Sequence, residues 1–174
     1  MSRAIVARAP TRLDFGGGWT DVSPYADEQG GAVCNVAITR YATATVSRAS
    51  DESDGDAAAR SETQPPGTTP ADDALVRAAL AHADLPGATA GVSNDFPIGA
   101  GLGGSSAAGV ALAGALAALG GTPLDRMALA DRSRRTEVEQ LGVAGGFQDH
   151  YAAAFGGALL LTFDGRIHVQ RLAL

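Results

Sequence analysis

The stretch Asn94-Asp95-Phe96-Pro97-Ile98-Gly99-Ala100-Gly101-Leu102-Gly103-Gly104-Ser105-Ser106-Ala107-Ala108 decides the reading of this chain. Four glycines fall within six residues, two hydroxyls follow, and Ala107 to Leu119 then carries alanine, leucine and valine at helical spacing. Glycine lets the backbone approach a ligand closely and take positive φ. A helix that starts directly after such a loop aims its free N–H groups and positive dipole end back into it. The combination is an anion site, most often for phosphate. Serines at the helix start can cap it or hold a metal ion carried by a phosphate.

Other readings of the loop compete with this one. Gly99-x-Gly101-x-x-Gly104 fits the letters of a dinucleotide fingerprint, which also needs a strand that delivers an acid to the ribose. Asp125 lies at about the right distance, but no strand delivers it. Gly99 and Gly104 have the gap of a Walker A loop, yet Ser105 stands where its lysine must be. All 13 basic residues of the chain are arginine. A loop that holds phosphate through backbone N–H groups and serine hydroxyls survives, beside the blander reading of a glycine-rich turn packed ahead of a helix.

Working outward, the 174 residues suffice for one domain that buries roughly 70% of its unfolded surface. Hydrophobic residues make up 45% and charged ones 18%, as in ordinary globular proteins. A net charge of −6 with scattered arginines argues against a nucleic-acid partner; Arg132, Arg134 and Arg135 form the one basic cluster, read as a solvated helix face. A single Cys34 excludes an internal disulfide framework. The N-terminus does not resemble a signal peptide, and Val110 to Leu119 is too short an apolar run to span a bilayer. The expectation is a soluble, cytoplasmic protein with no membrane partner.

In chain order, Ala4 to Ala9 reads as a strand interrupted by Pro10 and resumed at Leu13 to Phe15. Ser23-Pro24 starts a short helix or turn that Gly30-Gly31 ends. Ala32 to Ile38 and Tyr41 to Ser47 read as two strands joined by a hairpin at Thr39-Arg40. Segment 49–70 is polar and reads as a long solvated loop. Asp72 to Leu85 is a helix, Ala88 to Ser93 a strand into the glycine loop, and a helix starts at Ser105. Thr122 as cap with Pro123 at the first position predicts a further helix from Leu124 to about Leu141. Gln148 to Phe155 is a short helix, and Ala158 to Phe163 with Ile167 to Leu172 a hairpin about Asp164-Gly165. The sum is an α/β (α+β) fold.

Phosphoryl transfer is mostly positioning and charge neutralisation, so acids and arginines beside glycine turns are the candidates. Two such places stand out, Arg12-Leu13-Asp14-Phe15-Gly16-Gly17-Gly18-Trp19-Thr20-Asp21 and Glu137 through Gly145-Gly146-Phe147-Gln148-Asp149. With the loop at Pro97 through Ala107, these blocks resemble, in order, the three motifs of the N-terminal part of the GHMP kinases. Gly-Gly-Gly-Trp-Thr-Asp before a Pro-Tyr pair, and Gly-Gly-x-Gln-Asp-x-Tyr-Ala-Ala-Ala-Phe-Gly-Gly, are most similar to bacterial sugar kinases of the D-glycero-D-manno-heptose 7-phosphate kinase and fucokinase type.

The resemblance implies the fold of the second domain of ribosomal protein S5, across residues 1–174. It implies ATP as phosphoryl donor with Mg2+, and a sugar acceptor phosphorylated at an anomeric hydroxyl. Pro97, Gly99, Ala100, Gly101, Leu102, Gly103, Gly104, Ser105, Ser106 and Ala107 would bind the ATP phosphates. Asp149 would orient the sugar hydroxyl and take its proton, and Arg12 would sit near the γ-phosphate. Ser105 and Glu137 would hold Mg2+, with Ser106 and Glu139 as the competing choices. Asp21, Gly17, Gly18 and Trp19 would bind the sugar. Two residues depart from the pattern: His150 replaces the usual glutamine, and Phe147 a lysine that heptose kinases often carry. The resemblance also implies a second, C-terminal domain that this chain does not include. Activity is therefore expected only with a C-terminal half, either a separate chain or the remainder of a longer one, and the uncovered apolar face is expected to drive homodimer formation. The alternative is a half-domain that binds nucleotide or a partner chain without turnover.

Overall fold

The computed structural model describes residues 4–48, 70–143 and 145–173. Its elements are β1 (Ile5–Gly16), α1 (Tyr25–Gln29), β2 (Gly31–Arg48), α2 (Pro70–Ala83), β3 (Ala88–Asn94), α3 (Gly104–Leu119), α4 (Arg126–Arg134), a π-helical turn (Arg135–Gln140), α5 (Gln148–Phe155), β4 (Ala158–Phe163) and β5 (Ile167–Leu172). All strand pairings are antiparallel.

The sheet is built on β2, an unbroken strand of 18 residues. One edge pairs with β1. The other edge is shared: Gly31–Val36 pairs with β4, and Ala42–Arg48 pairs with β3. The hairpin expected at Thr39-Arg40 is therefore absent. A two-residue hairpin turn needs residues that accept positive φ, and a β-branched threonine and an arginine do not supply them. Instead the register slips between Pro10 and Arg12, so that residues 38–40 of β2 lie opposite Thr11 alone. The buried β2 residues change parity along the strand, from Val33 and Asn35 to Ala42, Ala44 and Val46. Where β2 lacks a strand neighbour, side chains take over. Thr11 Oγ1 donates to the Arg40 carbonyl at 3.1 Å, and the Tyr41 N–H donates to Asp95 Oδ1 at 2.6 Å. The β4–β5 hairpin has the expected bounds.

Helix α3 is apolar on nearly every side, with Ser106–Ala113 and Ala115–Ala117 all buried. Such a helix belongs inside a domain. It lies on β1 and β2 and is flanked by α2, α4 and α5. Leu112 and Leu116 pack with Val46, Val92 and Leu75 in the main core. A second cluster under β4 joins Val33, Leu159, Leu161 and Tyr151.

Helix starts differ from expectation in three places. α3 begins at Gly104, after Gly103 at φ 70°, and no side chain caps it. α4 begins after Asp125, whose Oδ1 accepts from the Ala128 N–H at 2.8 Å, and not at Thr122-Pro123. Thr122 is engaged elsewhere, its N–H bonded to the Ala117 carbonyl at the end of α3. The helix drawn to Leu141 instead ends at Arg134 and widens into the π-helical turn. α2 opens two residues early, on Pro70; the remainder of the predicted loop 49–70 lies outside the described residues. Among the described residues no helix is long and apolar enough to cross a membrane.

Candidate active site

Three segments far apart in sequence converge at one end of α3. β1 delivers Arg12 and, just beyond its end, the Gly17–Asp21 turn. β3 runs into the glycine loop. The π-helical turn and α5 bring Glu137 and Asp149. Arg12 ties them together. Its Nε and Nη2 each lie 2.7 Å from Asp149 Oδ1, its Nη1 donates to the Gly101 carbonyl at 2.6 Å, and its backbone N–H donates to the Leu102 carbonyl at 3.0 Å. Both guanidinium contacts fall on one carboxylate oxygen, so Oδ2 of Asp149 accepts no hydrogen bond among the described residues.

The glycine loop encloses a cleft of about 350 Å³ lined by Pro97 through Ser105, with Asn94, Phe96, Arg12 and Asp149. Gly103 is at φ 70°, and a Cβ there would come within 3.1 Å of the Asp149 carboxyl carbon. Positive φ and that close approach both require glycine. No side chain caps the first N–H groups of α3, so its positive end faces the cleft. A second cleft of about 420 Å³ adjoins it, sharing Arg12, Gly101, Ser105 and Asp149, with Asp14, Asp21 and Glu137 among its further walls.

Burial raises the Asp149 carboxyl above its ordinary 3.8, and the Arg12 guanidinium opposes that shift without overcoming it. Carboxylates at Asp21 and Glu137 push in the same direction as burial. Asp149 thus ionises less readily than a surface aspartate and is a correspondingly stronger base.

Glu137 is buried at the side of the second cleft, while Glu139 is exposed. Ser106, rather than Ser105, touches Glu137: its Oγ donates to Oε2 at 3.1 Å. Ser105 is exposed and lines both clefts. His150 closes this buried group. Its Nδ1 lies 2.9 Å from Ser133 Oγ, and its Nε2 lies 3.5 Å from Glu137 Oε2. A hydrogen on Nε2 faces the carboxylate, whereas a lone pair there would face oxygen lone pairs, so the Nε2–H tautomer fits. Burial first, and then the Arg134 charge, lowers the His150 pKa to about 3, so the ring is neutral near pH 7.

The other sequence-predicted residues separate into groups. Gly18 and Trp19 line the second cleft, and Trp19 is 76% exposed. Gly17 does not line it: a Cβ there would strike the Ala32 carbonyl, so this glycine lets the turn close on β2. Ala107 is fully buried in the core and borders neither cleft. Asp21 reaches the second cleft but is 2% exposed, and its Oδ2 accepts from the N–H groups of Phe147 (2.8 Å) and Gln148 (2.9 Å). It thereby closes the start of α5, at a spot where any Cβ on Gly146 would overlap the carboxylate.

Two further residues of this cleft, Asp14 and Gln148, were not among the sequence-predicted site residues. Gln148 Nε2 donates to Asp14 Oδ2 at 3.3 Å, and Asp14 Oδ1 accepts from the Gly16 N–H at 2.9 Å. Their signal was position alone: each stands within a quoted glycine block.

Residues 73–157 match the family model described as GHMP kinases N terminal domain. The chain is 30% identical over 173 residues to a D-glycero-alpha-D-manno-heptose 7-phosphate kinase of Campylobacter jejuni, covering 92% of this chain and 51% of that protein. It is 34% identical over 135 residues to a galactokinase of Mycobacterium tuberculosis, covering 74% and 37%. Among solved structures, a D-glycero-D-manno-heptose 1-phosphate kinase from Bacteroides thetaiotaomicron superposes with TM-score 0.79 at 28% identity, over 98% of this chain and 60% of that one. Lactococcus lactis galactokinase superposes with TM-score 0.70 at 19% identity, over 99% and 48%, a likeness of fold. The chain spans about half the length of the heptose kinase relative, and less of the galactokinase.

Proposed function

The chain belongs to the GHMP kinases through the N-terminal domain of that family, and on this premise we propose that it contributes the nucleotide- and acceptor-binding half of an ATP-dependent sugar kinase. The observation that carries the reading is the Arg12 bridge, which joins the glycine loop to Asp149 through contacts of 2.6 and 2.7 Å. In this reading the catalytic carboxylate, its cation and the phosphate cradle form one constellation.

In this reading the triphosphate lies in the glycine-loop cleft against the free N–H groups of α3. The acceptor sugar lies in the second cleft, with its reacting hydroxyl on Asp149 Oδ2. The hydroxyl oxygen bonds to the γ-phosphorus, the bond to the β–γ bridging oxygen breaks, and ADP leaves. The hydroxyl proton passes to Asp149, whose raised pKa suits it to accept that proton late in the transfer. Arg12 keeps the carboxylate aimed and places positive charge where the γ-phosphate oxygens gather.

Mg2+ is normally held by phosphates, waters and one or two carboxylates rather than by an all-protein cage. A single buried carboxylate with hydroxyls beside a phosphate cradle suits that donor set, so Glu137 with Ser105 or Ser106 would hold it. When bound, it neutralises phosphate charge. The reading includes a C-terminal half, supplied as a separate chain or as the rest of a longer one, as the partner that completes the site, with a homodimer as the alternative cover for its apolar surface.

The test is ATP turnover over a sugar panel, with this chain alone and with a C-terminal half added. Sugar-dependent ADP release lost in Asp149→Asn supports the proposal. Saturable nucleotide binding without transfer under either condition supports the alternative, a non-catalytic binding domain.

A further inference from the structure

We propose that the acceptor bound in the second cleft is an uncharged sugar, one that bears no phosphate or carboxylate of its own; this rests on the sugar-kinase reading above. The argument is an inventory of donors and acceptors. Four carboxylates line the cleft, Asp14, Asp21, Glu137 and Asp149, against one guanidinium, Arg12; with Asp149 paired to Arg12, Asp21 seated on α5 and Glu137 reserved for Mg2+, Asp14 is the charge left facing the cleft without a cation among the described residues. A phosphate dianion is an acceptor only and needs donors or cations; beyond the Ser105 hydroxyl, the Trp19 indole N–H and two N–H groups of Arg12, the donors traced here serve the protein's own groups. Arg12 spends Nε and Nη2 on Asp149 and Nη1 on Gly101. The start of α5 would itself attract an anion, but Asp21 already fills it through the N–H groups of Phe147 and Gln148. The Gly16 N–H and the Gln148 side-chain amide are both spent on Asp14.

Two acceptors in the cleft are left free as well. Asp149 Oδ2 is available, and Gln148 Oε1 is buried with no hydrogen-bond partner. Both are acceptors, which suit the O–H groups of a polyol. Trp19 stands exposed at the cleft wall with Val22 and Val143, giving the C–H face of a sugar ring an apolar surface. Phe147, next to the cleft residue Gln148, supplies no cation and does not itself line the cleft. Its ring packs on Phe163 at 5.8 Å and under the Arg134 guanidinium at 3.9 Å. Arg134 does not line the cleft. Like charges facing one another in a partly dry cleft reject a ligand more strongly than missing contacts do.

The experiment titrates the full chain, saturated with a non-hydrolysable ATP analogue and Mg2+, with matched pairs. These are galactose and galactose 6-phosphate, mannose and mannose 6-phosphate, and D-glycero-D-manno-heptose and its 7-phosphate, followed by calorimetry or ligand-observed NMR. At least one neutral sugar should bind about tenfold or more tightly than its phosphate ester. Asp14→Asn should narrow that gap, and raising the salt on the unmodified chain should narrow it too. A phosphate ester that binds as tightly as its parent sugar, or a gap indifferent to salt, overturns the inference. Nucleotide binding with no sugar of either kind also overturns it while leaving the nucleotide site standing. Failure of the analogue itself to bind brings down the proposed function as well.

Discussion

Two helices start at the floor of the same pair of clefts, and they start differently. α3 begins behind Gly103 with no side chain on its first N–H groups. α5 begins with Asp21 buried against the N–H groups of Phe147 and Gln148. Both ends carry the partial positive charge that any helix N-terminus has. One is left open toward the cleft and the other is neutralised from within the protein. The difference teaches that a helix N-terminus becomes an anion site only where the sequence withholds its own cap. Here glycine withholds the cap at α3, and aspartate supplies it at α5. The closed end has a second consequence, because the Asp21 charge helps burial to hold the Asp149 carboxyl above its ordinary range.

The sharpest way to break this comparison is at Asp149. Asp149→Asn should lower sugar phosphorylation by roughly a thousandfold or more, measured by coupled ADP release. It should not lower the thermal midpoint. The sign follows from the raised pKa: between 3.8 and the higher folded value the native chain binds the extra proton, so the charged form costs stability as pH rises. An amide removes that cost. The acid limb of kcat/KM should accordingly lie above the range of a surface aspartate, and a limb at or below 3.8 would contradict the buried-base reading.

Closing the open end is the next largest change. Gly103→Ala places a Cβ at φ 70° within 3.3 Å of three Asp149 atoms. It should weaken binding of an ATP analogue about tenfold or more and cost on the order of 1–2 kcal/mol of stability, read by calorimetry and thermal unfolding.

Opening the closed end is the converse. Asp21→Ala removes two hydrogen bonds to a charged acceptor and should cost about 2–3 kcal/mol. Sulfate should then stabilise the variant more than it stabilises the unmodified chain. Equal stabilisation of the two would mean that Asp21 does not occupy an anion site.

A smaller effect concerns His150. Unfolded chains take up its proton near pH 6.5, whereas the folded chain resists until about 3. Stability should therefore fall as pH drops through that window, by at most about 1.4 kcal/mol per unit from this residue. His150→Gln should flatten the slope of urea-unfolding free energy against pH.

The sequence carried the local half of this architecture well. Glycine pairs and Asp164-Gly165 punctuate the chain, and the β4–β5 hairpin and α5 lie where those signals put them. β2 was misread because two extended runs separated by two polar residues look alike whether the chain turns back or runs on. The outcome depended on β1, β3 and β4, which are remote in sequence. At the site, Arg12, Glu137 and Asp149 were legible as charged residues beside glycine turns. The roles of Asp14 and Gln148 were not, because each is defined by the other, 134 residues away; Ser106 was weighed against Ser105, and the choice turns on Glu137, 31 residues on. Asp21 shows the same limit. Its place after a glycine turn was visible, but its partners are 126 and 127 residues distant.

The most direct test of the open-and-closed account is a crystal structure of the chain with a non-hydrolysable ATP analogue, Mg2+ and a neutral sugar. The account predicts the γ-phosphate against the N–H groups that open α3, Asp21 still seated on α5, and a sugar hydroxyl on Asp149 Oδ2. Phosphate oxygens seated at the start of α5 with Asp21 displaced, or a nucleotide bound away from the glycine loop, would contradict it.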